Sequence, residues 1–321
     1  METWSWILGW SLSILTMVGN GFIIFLVCSK RQLRTKTNTF VVSLAVADFC
    51  VGMIVVPTMF VFQMSTGCST QSDWSYNVRI LFSYLSVTNL CSLVVDRYIA
   101  VVKPLIYLTF MTRRRVIQMV SFSWGIPMAF RMVRILNIFV LKNPLPGSSL
   151  LWLGVVLFEL VPCLLLIFCF LSMLYVVRKY ERAVRATAKQ LRFNHPVSFK
   201  TKEKSAVKMM GVVLGLFLLC YGFYIRCSFK IFLKDTKCND EEYKIPLLLL
   251  NSAINPVSYA FFKKDIMKEI KRRIVCVIRE AWNARLFMKQ GKNCFRPWNA
   301  CGRIFIYCRS RELAFIIAIK L

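Results

Sequence analysis

Charged side chains inside otherwise apolar segments are the residues of this sequence that could do chemistry. Asp48 lies within one apolar run and Glu159 within another, while Arg79 and Arg97 stand eighteen positions apart near the two ends of a third. In one α-helix those eighteen steps span roughly 27 Å, close to the thickness of the hydrocarbon core of a bilayer. Ionisable residues at such depths face a protein interior or a water-filled cavity, so they mark candidate ion, ligand or switching sites.

The composition indicates an integral membrane protein. The 321 residues are 57% hydrophobic and carry a formal net charge of +28, whereas soluble domains are usually about 45–50% apolar. The Lys and Arg residues lie in short segments between apolar runs, which favours positive cytoplasmic loops over a nucleic-acid partner. The single histidine, His195, and thirteen cysteines without a CxxC pair argue against most metal chemistry.

Seven apolar segments are each long enough for a spanning helix, which needs about 20 residues. The predicted spans are 4–28, 38–63, 76–102, 115–134, 151–177, 206–233 and 244–262. Only helices satisfy the backbone in lipid, so we expect an all-α membrane protein, a seven-transmembrane helix bundle over residues 1–262. Basic residues concentrate in the 1–2, 3–4 and 5–6 loops and in the tail, which places the N-terminus outside.

The segment after the seventh span predicts an amphipathic juxtamembrane helix over residues 263–279. Phe262, Ile266, Ile270 and Ile274 recur at about helical spacing among basic residues, so this helix is expected to lie on the inner leaflet and contact lipids. A cytosolic helix with a solvated face is the alternative. Cys276 lies close enough to the membrane for lipidation, and residues 280–321 form a basic cytoplasmic tail whose role is left open.

Short polar motifs recur within the predicted spans. They are Gly19–Asn20, SLAVAD at 43–48, DRYIAVVKPLIY at 96–107, Trp124, Pro162 and NSAINPVSY at 251–259. Together they resemble the rhodopsin-like (class A) G-protein-coupled receptors, nearest to the amine-type small-molecule receptors, over about residues 4–278. The resemblance implies a multi-pass plasma-membrane receptor, not an enzyme, that transmits an extracellular small-molecule signal to a cytoplasmic heterotrimeric G protein.

The resemblance also places oxygen-bearing side chains around Asp48. These are Asn20, Ser86, Asn251, Ser252 and Asn255. A carboxylate with hydroxyls and amides suits a hard cation, and in the family this pocket holds sodium, the one ion expected here. A polar network that joins the helices without an ion is the alternative.

A further set of residues is implied to act in activation and G-protein coupling. In the family, release of the arginine corresponding to Arg97 from Asp96 and Glu203 opens the G-protein cleft. Pro256 removes a backbone hydrogen bond from the seventh span, which predicts a bistable element there, and Tyr259 would swing inward to support Arg97. The set also includes Tyr98, Phe217 and Leu105, an apolar knob that inserts into the G protein in many relatives.

Several positions depart from the family pattern. Tyr221 stands where the family carries a tryptophan, Phe223 where it carries a proline and Phe170 where it carries a tyrosine. A constitutive or non-signalling, dimer-forming receptor-like protein is therefore the alternative function. Ser72 occupies the position of the usual third-span cysteine, so any disulfide would join Cys238 to Cys68 or to Cys227, and both pairings remain open.

Arg79 occupies the position at which amine receptors carry the carboxylate that binds the ligand ammonium. A guanidinium repels an amine and favours a carboxylate or phosphate, so an anionic or zwitterionic ligand is expected. Glu159 could pair with Arg79 or bind the ammonium of a zwitterion or a biogenic amine; alternatively, Arg79 could extend to water. Its neighbours by resemblance are Phe82, Ser83, Tyr221 and Tyr224.

Overall fold

The computed structural model describes residues 3–66, 74–137, 144–190, 207, 211–222, 226 and 241–289. The helices are α1 (Thr3–Ser29), α2 (Lys36–Thr66), α3 (Trp74–Val102), α4 (Pro104–Phe110), α5 (Arg113–Leu136), α6 (Pro144–Val155), α7 (Val161–Gln190), α8 (Gly211–Gly222), α9 (Glu241–Phe262) and α10 (Lys264–Lys289). A π-helical segment, Val156–Leu160, joins α6 to α7. Within these residues the chain is helical and contains no strand, as predicted for an all-α protein.

Five of the helical segments are long and apolar enough to cross a membrane. They are Trp6–Ser29, Lys36–Met59, Asn77–Val102, Arg113–Leu136 and Trp152–Val184, the last of which runs through the π-helical segment. The sixth predicted span is described mainly as the shorter apolar helix α8, and the seventh corresponds to the 22 residues of α9. Helical spans leave no backbone group unpaired in lipid, which is why these apolar runs form helices.

Helix α3 lies at the centre of the bundle, where it contacts α2, α5 and α7. Polar side chains join these helices inside the bundle. Thr88 Oγ1 donates a hydrogen bond to the Ser123 carbonyl over 2.7 Å. Trp124 Nε1 donates to Ser43 Oγ over 2.9 Å, and Ser43 Oγ donates to Asn89 Oδ1 over 2.6 Å. These last two hydrogen bonds connect α5, α2 and α3. Hydrogen bonds between helices help to hold a membrane bundle together, because no hydrophobic driving force acts between helices in lipid.

The close approach of α1 to α9 depends on a small residue. A Cβ at Gly19 would lie 3.1 Å from the Pro256 side chain, so a larger residue would push the two helices apart. Small residues at helix contacts allow backbones to approach in this way. Gly19 therefore sets the spacing at the part of α9 that contains Pro256.

The second compact unit, residues 264–321, is described only through α10. The helix extends to Lys289 instead of ending near residue 279. Glu269 forms ion pairs with Arg272 at 3.6 Å and Arg273 at 3.5 Å, the i,i+3 and i,i+4 spacings that stabilise a helix. Exposed apolar residues follow one stripe of α10, namely Ile274, Val275, Ile278 and Trp282. This stripe has the character of a membrane-surface helix.

Candidate functional site

Asp48 is the centre of a buried polar cluster between α2, α3 and α9. It is fully buried. Ser86 Oγ donates to Asp48 Oδ1 over 2.5 Å, and Asn255 Nδ2 donates to Asp48 Oδ2 over 2.7 Å. The Ser252 side chain also hydrogen-bonds this carboxylate. The structure thus brings three of the predicted side chains onto Asp48, and it buries Asn251 on the same helix as Asn255.

Several oxygens near this cluster have capacity for a further ligand. Oδ1 of Asn20, Asn251 and Asn255 is buried and accepts no hydrogen bond. Leaving a buried polar atom unsatisfied costs about 1–3 kcal/mol, so a cation or ordered water that these oxygens coordinate would be stabilised. A carboxylate with amide oxygens and a hydroxyl is a donor set that hard cations prefer. The residues present therefore fit the sodium ion implied by the resemblance.

The cytoplasmic end of α3 contains a second cluster, built around Arg97 and Asp96. Arg97 Nε and Nη2 donate to Asp96 Oδ2 over 2.9 and 2.5 Å. The Arg97 side chain is 20% exposed, whereas that of Asp96 is fully buried. Charge-assisted hydrogen bonds to one carboxylate are stronger than neutral ones, so Asp96 holds the guanidinium in place. The predicted second partner, Glu203, lies outside the described residues, and its role stays a prediction.

Two residues that the sequence analysis did not single out complete this cluster. Arg97 Nη2 also donates to Thr37 Oγ1 of α2. Tyr107, on the short helix α4, donates its hydroxyl proton to Asp96 Oδ1 over 3.0 Å and lies 3.4 Å from Thr37 Oγ1. Burial raises the pKa of the Tyr107 phenol above its usual value. The phenol therefore remains protonated, and a donor, across the physiological pH range.

Replacing Tyr107 with Phe is expected to raise ligand-free signalling about fivefold. The change removes one hydrogen bond to Asp96, worth about 1 kcal/mol, while leaving the ring in place. G-protein dissociation measured without added ligand, at matched surface expression, tests this expectation. The control is Tyr175→Phe on α7, whose side chain is exposed. Equal basal signals in both variants would show that the Tyr107 hydroxyl does not restrain Arg97.

The remaining residues assigned to activation occupy distinct parts of the bundle. The Leu105 side chain on α4 is 85% exposed, as insertion into a G protein would require. The centroid of the Tyr98 ring lies 6.0 Å from that of the Phe168 ring. Phe217 is buried and stacks on Tyr221 with ring centroids 4.3 Å apart. The Tyr259 hydroxyl is buried and makes no hydrogen bond. The inward movement of Tyr259 on activation stays a prediction.

Arg79 and Glu159 both lie inside the bundle at its outer half. Arg79 is only 8% exposed and Glu159 only 1%. The burial of Arg79 argues against the reading in which its guanidinium extends to water. Glu159 lies in the π-helical segment Val156–Leu160, and π-helical turns in α-helices are frequent at functional sites because they rotate side chains out of the regular register. The sequence does not reveal this turn.

The predicted neighbours of the Arg79–Glu159 region differ in their placement. Tyr221 is buried close enough to Glu159 and Tyr84 to interact with them electrostatically. Ser83 is buried, and its hydroxyl donates to the Arg79 carbonyl over 2.9 Å. Phe82 packs against the apolar cluster of Val51, Val55, Val56 and Leu249, and its predicted contact with a ligand stays a prediction. Its ring therefore helps to pack α2 against α9.

Several other predicted positions lie outside the described residues, and one predicted cysteine is in a disulfide bond. Tyr224, Phe223, Ser72 and the three cysteines considered for an extracellular disulfide, Cys68, Cys227 and Cys238, are outside. Cys276 is disulfide-bonded in the structure. Lipidation at Cys276 requires the reduced thiol, the form that the cytosol favours, and it stays a prediction.

Comparison with known proteins identifies similar receptors. The family model described as 7 transmembrane receptor (rhodopsin family) matches residues 19–259. The octopamine receptor beta-2R of Chilo suppressalis is 29% identical, over 82% of this chain and 77% of the relative. Trace amine-associated receptor 5 of Mus musculus is 28% identical, with 80% and 81% covered. The histamine H2 receptor of Cavia porcellus is 27% identical, with 83% and 77% covered.

Proposed function

We propose that this chain, which belongs to the rhodopsin family of seven-transmembrane receptors, carries the signal of an anionic or zwitterionic small molecule to a heterotrimeric G protein. The chain is a G-protein-coupled receptor of the plasma membrane and not an enzyme. Its fold is the seven-transmembrane helical bundle of that family. The proposal concerns the finer features, which are the charge of the ligand, the coupling residues and the ion.

The observation that carries the ligand proposal is the burial of Arg79. It stands on α3 where amine-type relatives are expected to carry a carboxylate, and it is 8% exposed. A buried guanidinium attracts a carboxylate or phosphate and repels an ammonium group. Glu159, itself buried, could bind the ammonium of a zwitterion whose acidic group meets Arg79.

A biogenic amine bound through Glu159 is the second candidate. Its support is that the relatives are named as octopamine, trace amine and histamine receptors. Glu159 is the buried carboxylate in the outer half of the described bundle. An amine bound to Glu159 would be repelled by the positive charge of Arg79. We therefore prefer an anionic or zwitterionic ligand.

We place the coupling machinery at Asp96 and Arg97, with an allosteric sodium ion at Asp48. The hydrogen bonds that hold Arg97 to Asp96 and Thr37 support an inactive lock. Outward movement of the sixth span would free Arg97 for the G protein, with Leu105 as an apolar contact. The orphaned amide oxygens near Asp48 support the ion, which would favour the state in which this cluster is closed.

Replacing Arg97 with Ala is expected to reduce ligand-stimulated G-protein dissociation by about tenfold or more, because the guanidinium would contact the G protein only after release. The measurement is G-protein dissociation in cells at matched surface expression, with Arg31→Ala, an exposed arginine between α1 and α2, as the control. Unchanged basal and stimulated signals in Arg97→Ala would overturn the receptor mechanism proposed for Arg97, whereas the absence of any signal in wild type would favour the non-signalling dimer partner.

The ligand class is tested by screening amines, amino acids and carboxylates on wild type, Arg79→Ala and Glu159→Ala. An acid response that Arg79→Ala removes supports the proposal. An amine response that Glu159→Ala alone removes supports the amine candidate and contradicts the proposal.

A further inference from the structure

The first turn of α2 contains a buried polar residue, Asn38, that belongs to none of the clusters described above. Its side chain is 1% exposed. Asn38 Nδ2 donates a hydrogen bond over 2.5 Å to the carbonyl of Leu33, a buried residue of the 3-10 turn Arg31–Leu33. Asn38 Oδ1 accepts a hydrogen bond from Lys263 Nζ, 225 residues away in the sequence. Asn38 therefore connects the start of α2 to a distant part of the chain.

Lys263 is the residue that directly follows α9, at the cytoplasmic end of the seventh span. Its backbone N–H donates to the Tyr259 carbonyl over 3.0 Å, which continues the helical hydrogen-bond pattern of α9. A lysine at the end of a span usually extends its ammonium group to water, but this side chain is partly buried and turns towards α2. The hydrogen bond to Asn38 therefore fixes the end of α9 that carries Tyr259.

The same turn of α2 also holds Arg97. Thr37, the residue before Asn38, accepts a hydrogen bond from Arg97 Nη2 of α3. The turn itself is capped, because Thr35 Oγ1 accepts a hydrogen bond from the Asn38 backbone N–H over 3.3 Å. Two adjacent side chains on one capped turn thus contact α3 and the end of α9. These are the segments whose side chains Arg97 and Tyr259 change position in the proposed mechanism.

Separation of Lys263 from Asn38 has an energetic cost. The donor is charged, and hydrogen bonds to charged groups are stronger than those between neutral groups. Movement of the end of α9 away from α2 would also remove this donor from the buried Asn38 Oδ1, and an unsatisfied buried acceptor is unfavourable. The contact therefore favours the present arrangement of α2 and α9 over any arrangement in which the end of α9 moves.

We propose that Lys263 and Asn38 are positioning residues that restrain the receptor in its inactive state. They hold the end of α9 against the first turn of α2, so that the inward movement of Tyr259 requires this contact to break. The restraint is separate from the hydrogen bonds between Asp96 and Arg97, because it acts on α9 and not on α3. The inference rests on the proposed function, since it assigns two further residues to the same signalling switch.

Replacing Lys263 with Met is expected to raise ligand-free G-protein dissociation about fivefold, because Met has a similar length but cannot donate a hydrogen bond. Lys263→Arg keeps a charged donor and should signal as wild type does. Lys36→Met, which alters an exposed lysine in the same turn of α2, is the matched control. A basal signal in Lys263→Met no higher than in Lys36→Met, at matched surface expression, would overturn the inference.

A double-mutant cycle tests whether the two residues act through each other. Asn38→Ala is expected to raise the basal signal by a similar factor. Lys263→Met should add nothing in that background, because its partner is already absent. An effect of Lys263→Met that persists in Asn38→Ala would show that Lys263 acts through another group, and it would overturn the assignment.

Asn38→Asp distinguishes the two hydrogen bonds of Asn38 and serves as the second variant if the smaller alanine prevents folding. Aspartate keeps the shape and the acceptor for Lys263 and adds a negative charge, but it loses the donor to Leu33. A charge-assisted bond is stronger, so we expect a basal signal at or below that of wild type. A signal about fivefold above wild type would assign the effect to the Leu33 contact and contradict the proposal.

Hydrogen exchange of the purified full-length receptor in lipid nanodiscs tests the restraint without a G protein. The backbone amides of residues 259–263 are expected to exchange about fivefold faster in Lys263→Met than in wild type or Lys36→Met, because exchange follows local opening. Unchanged exchange would overturn the inference even if the Asp96 and Arg97 variants behave as proposed. Faster exchange with a raised basal signal in Lys263→Met, but no effect of Arg97→Ala, would leave the restraint in place and overturn the Arg97 mechanism.

Discussion

Replacing Asp96 with Asn is expected to raise ligand-free G-protein activation roughly tenfold or more. The fully buried Asp96 carboxylate accepts two hydrogen bonds from Arg97 and one from Tyr107. An amide of the same size keeps the shape of the site but loses the charge, and a hydrogen bond to a charged group contributes about 1.5–3 kcal/mol. Since about 1.4 kcal/mol is a factor of ten, the population with Arg97 released rises accordingly.

The measurement is G-protein dissociation in cells without ligand, normalised to the receptor at the cell surface. Asp265→Asn, which removes an exposed carboxylate from the first turn of α10, is the matched control. A basal signal in Asp96→Asn no higher than in this control, at equal surface expression, would show that Asp96 does not hold the receptor inactive. The Thr37→Val variant should shift the same equilibrium less, because it removes a neutral acceptor of Arg97.

Replacing Asp48 with Asn is expected to abolish the stabilisation of the receptor by sodium. An ion present at ten times its dissociation constant contributes about 1.4 kcal/mol to the folded state, and a neutral amide supplies no charge to hold it. The variant also leaves one of the two donors, Ser86 Oγ or Asn255 Nδ2, without its acceptor. We therefore expect a further loss of about 1–3 kcal/mol that does not depend on the salt.

The two contributions separate when melting temperatures are compared in sodium chloride and choline chloride at the same ionic strength. Wild type is expected to melt higher in sodium, while Asp48→Asn should melt at one lower temperature in both salts. Asp96→Asn alters a different buried carboxylate, on α3 and not on the α2 helix of Asp48, and this variant should keep the sodium effect. A sodium shift that survives in Asp48→Asn would place the ion elsewhere, and the absence of any shift in wild type would leave a polar network without an ion.

Much of the architecture of the receptor could be predicted, because the residue patterns that indicate it are local in the sequence. The length of each apolar run indicates a spanning helix, since lipid cannot satisfy an open backbone. Asp96 and Arg97 are adjacent in sequence, so their pairing needs no knowledge of the fold. The cluster at Asp48 was predicted through the resemblance, and the structure brings Ser86, Ser252 and Asn255 onto the carboxylate.

Contacts between distant segments could not be predicted in the same way. The hydroxyl of Tyr107 reaches Asp96 only because α4 folds back beside α3. Phe82 packs against an apolar cluster of α2 and α9, a contact that the sequence does not indicate, while its place near the ligand stays a prediction. The sequence analysis did not single out Arg131 and Arg134, and only the tertiary structure shows that both are buried.

The sequence by itself determined the helical membrane architecture, the family, and Asp48, Asp96 and Arg97 as the central residues of the two polar clusters. Only the tertiary structure decided which face of α5 enters the bundle and that a π-helical segment carries Glu159 inside. The physical reason is that lipid is as apolar as a protein core. A spanning helix can be apolar on every side, so the pattern that shows the buried face of a soluble helix is weak here. The orientation of each helix then depends on the neighbours against which it packs.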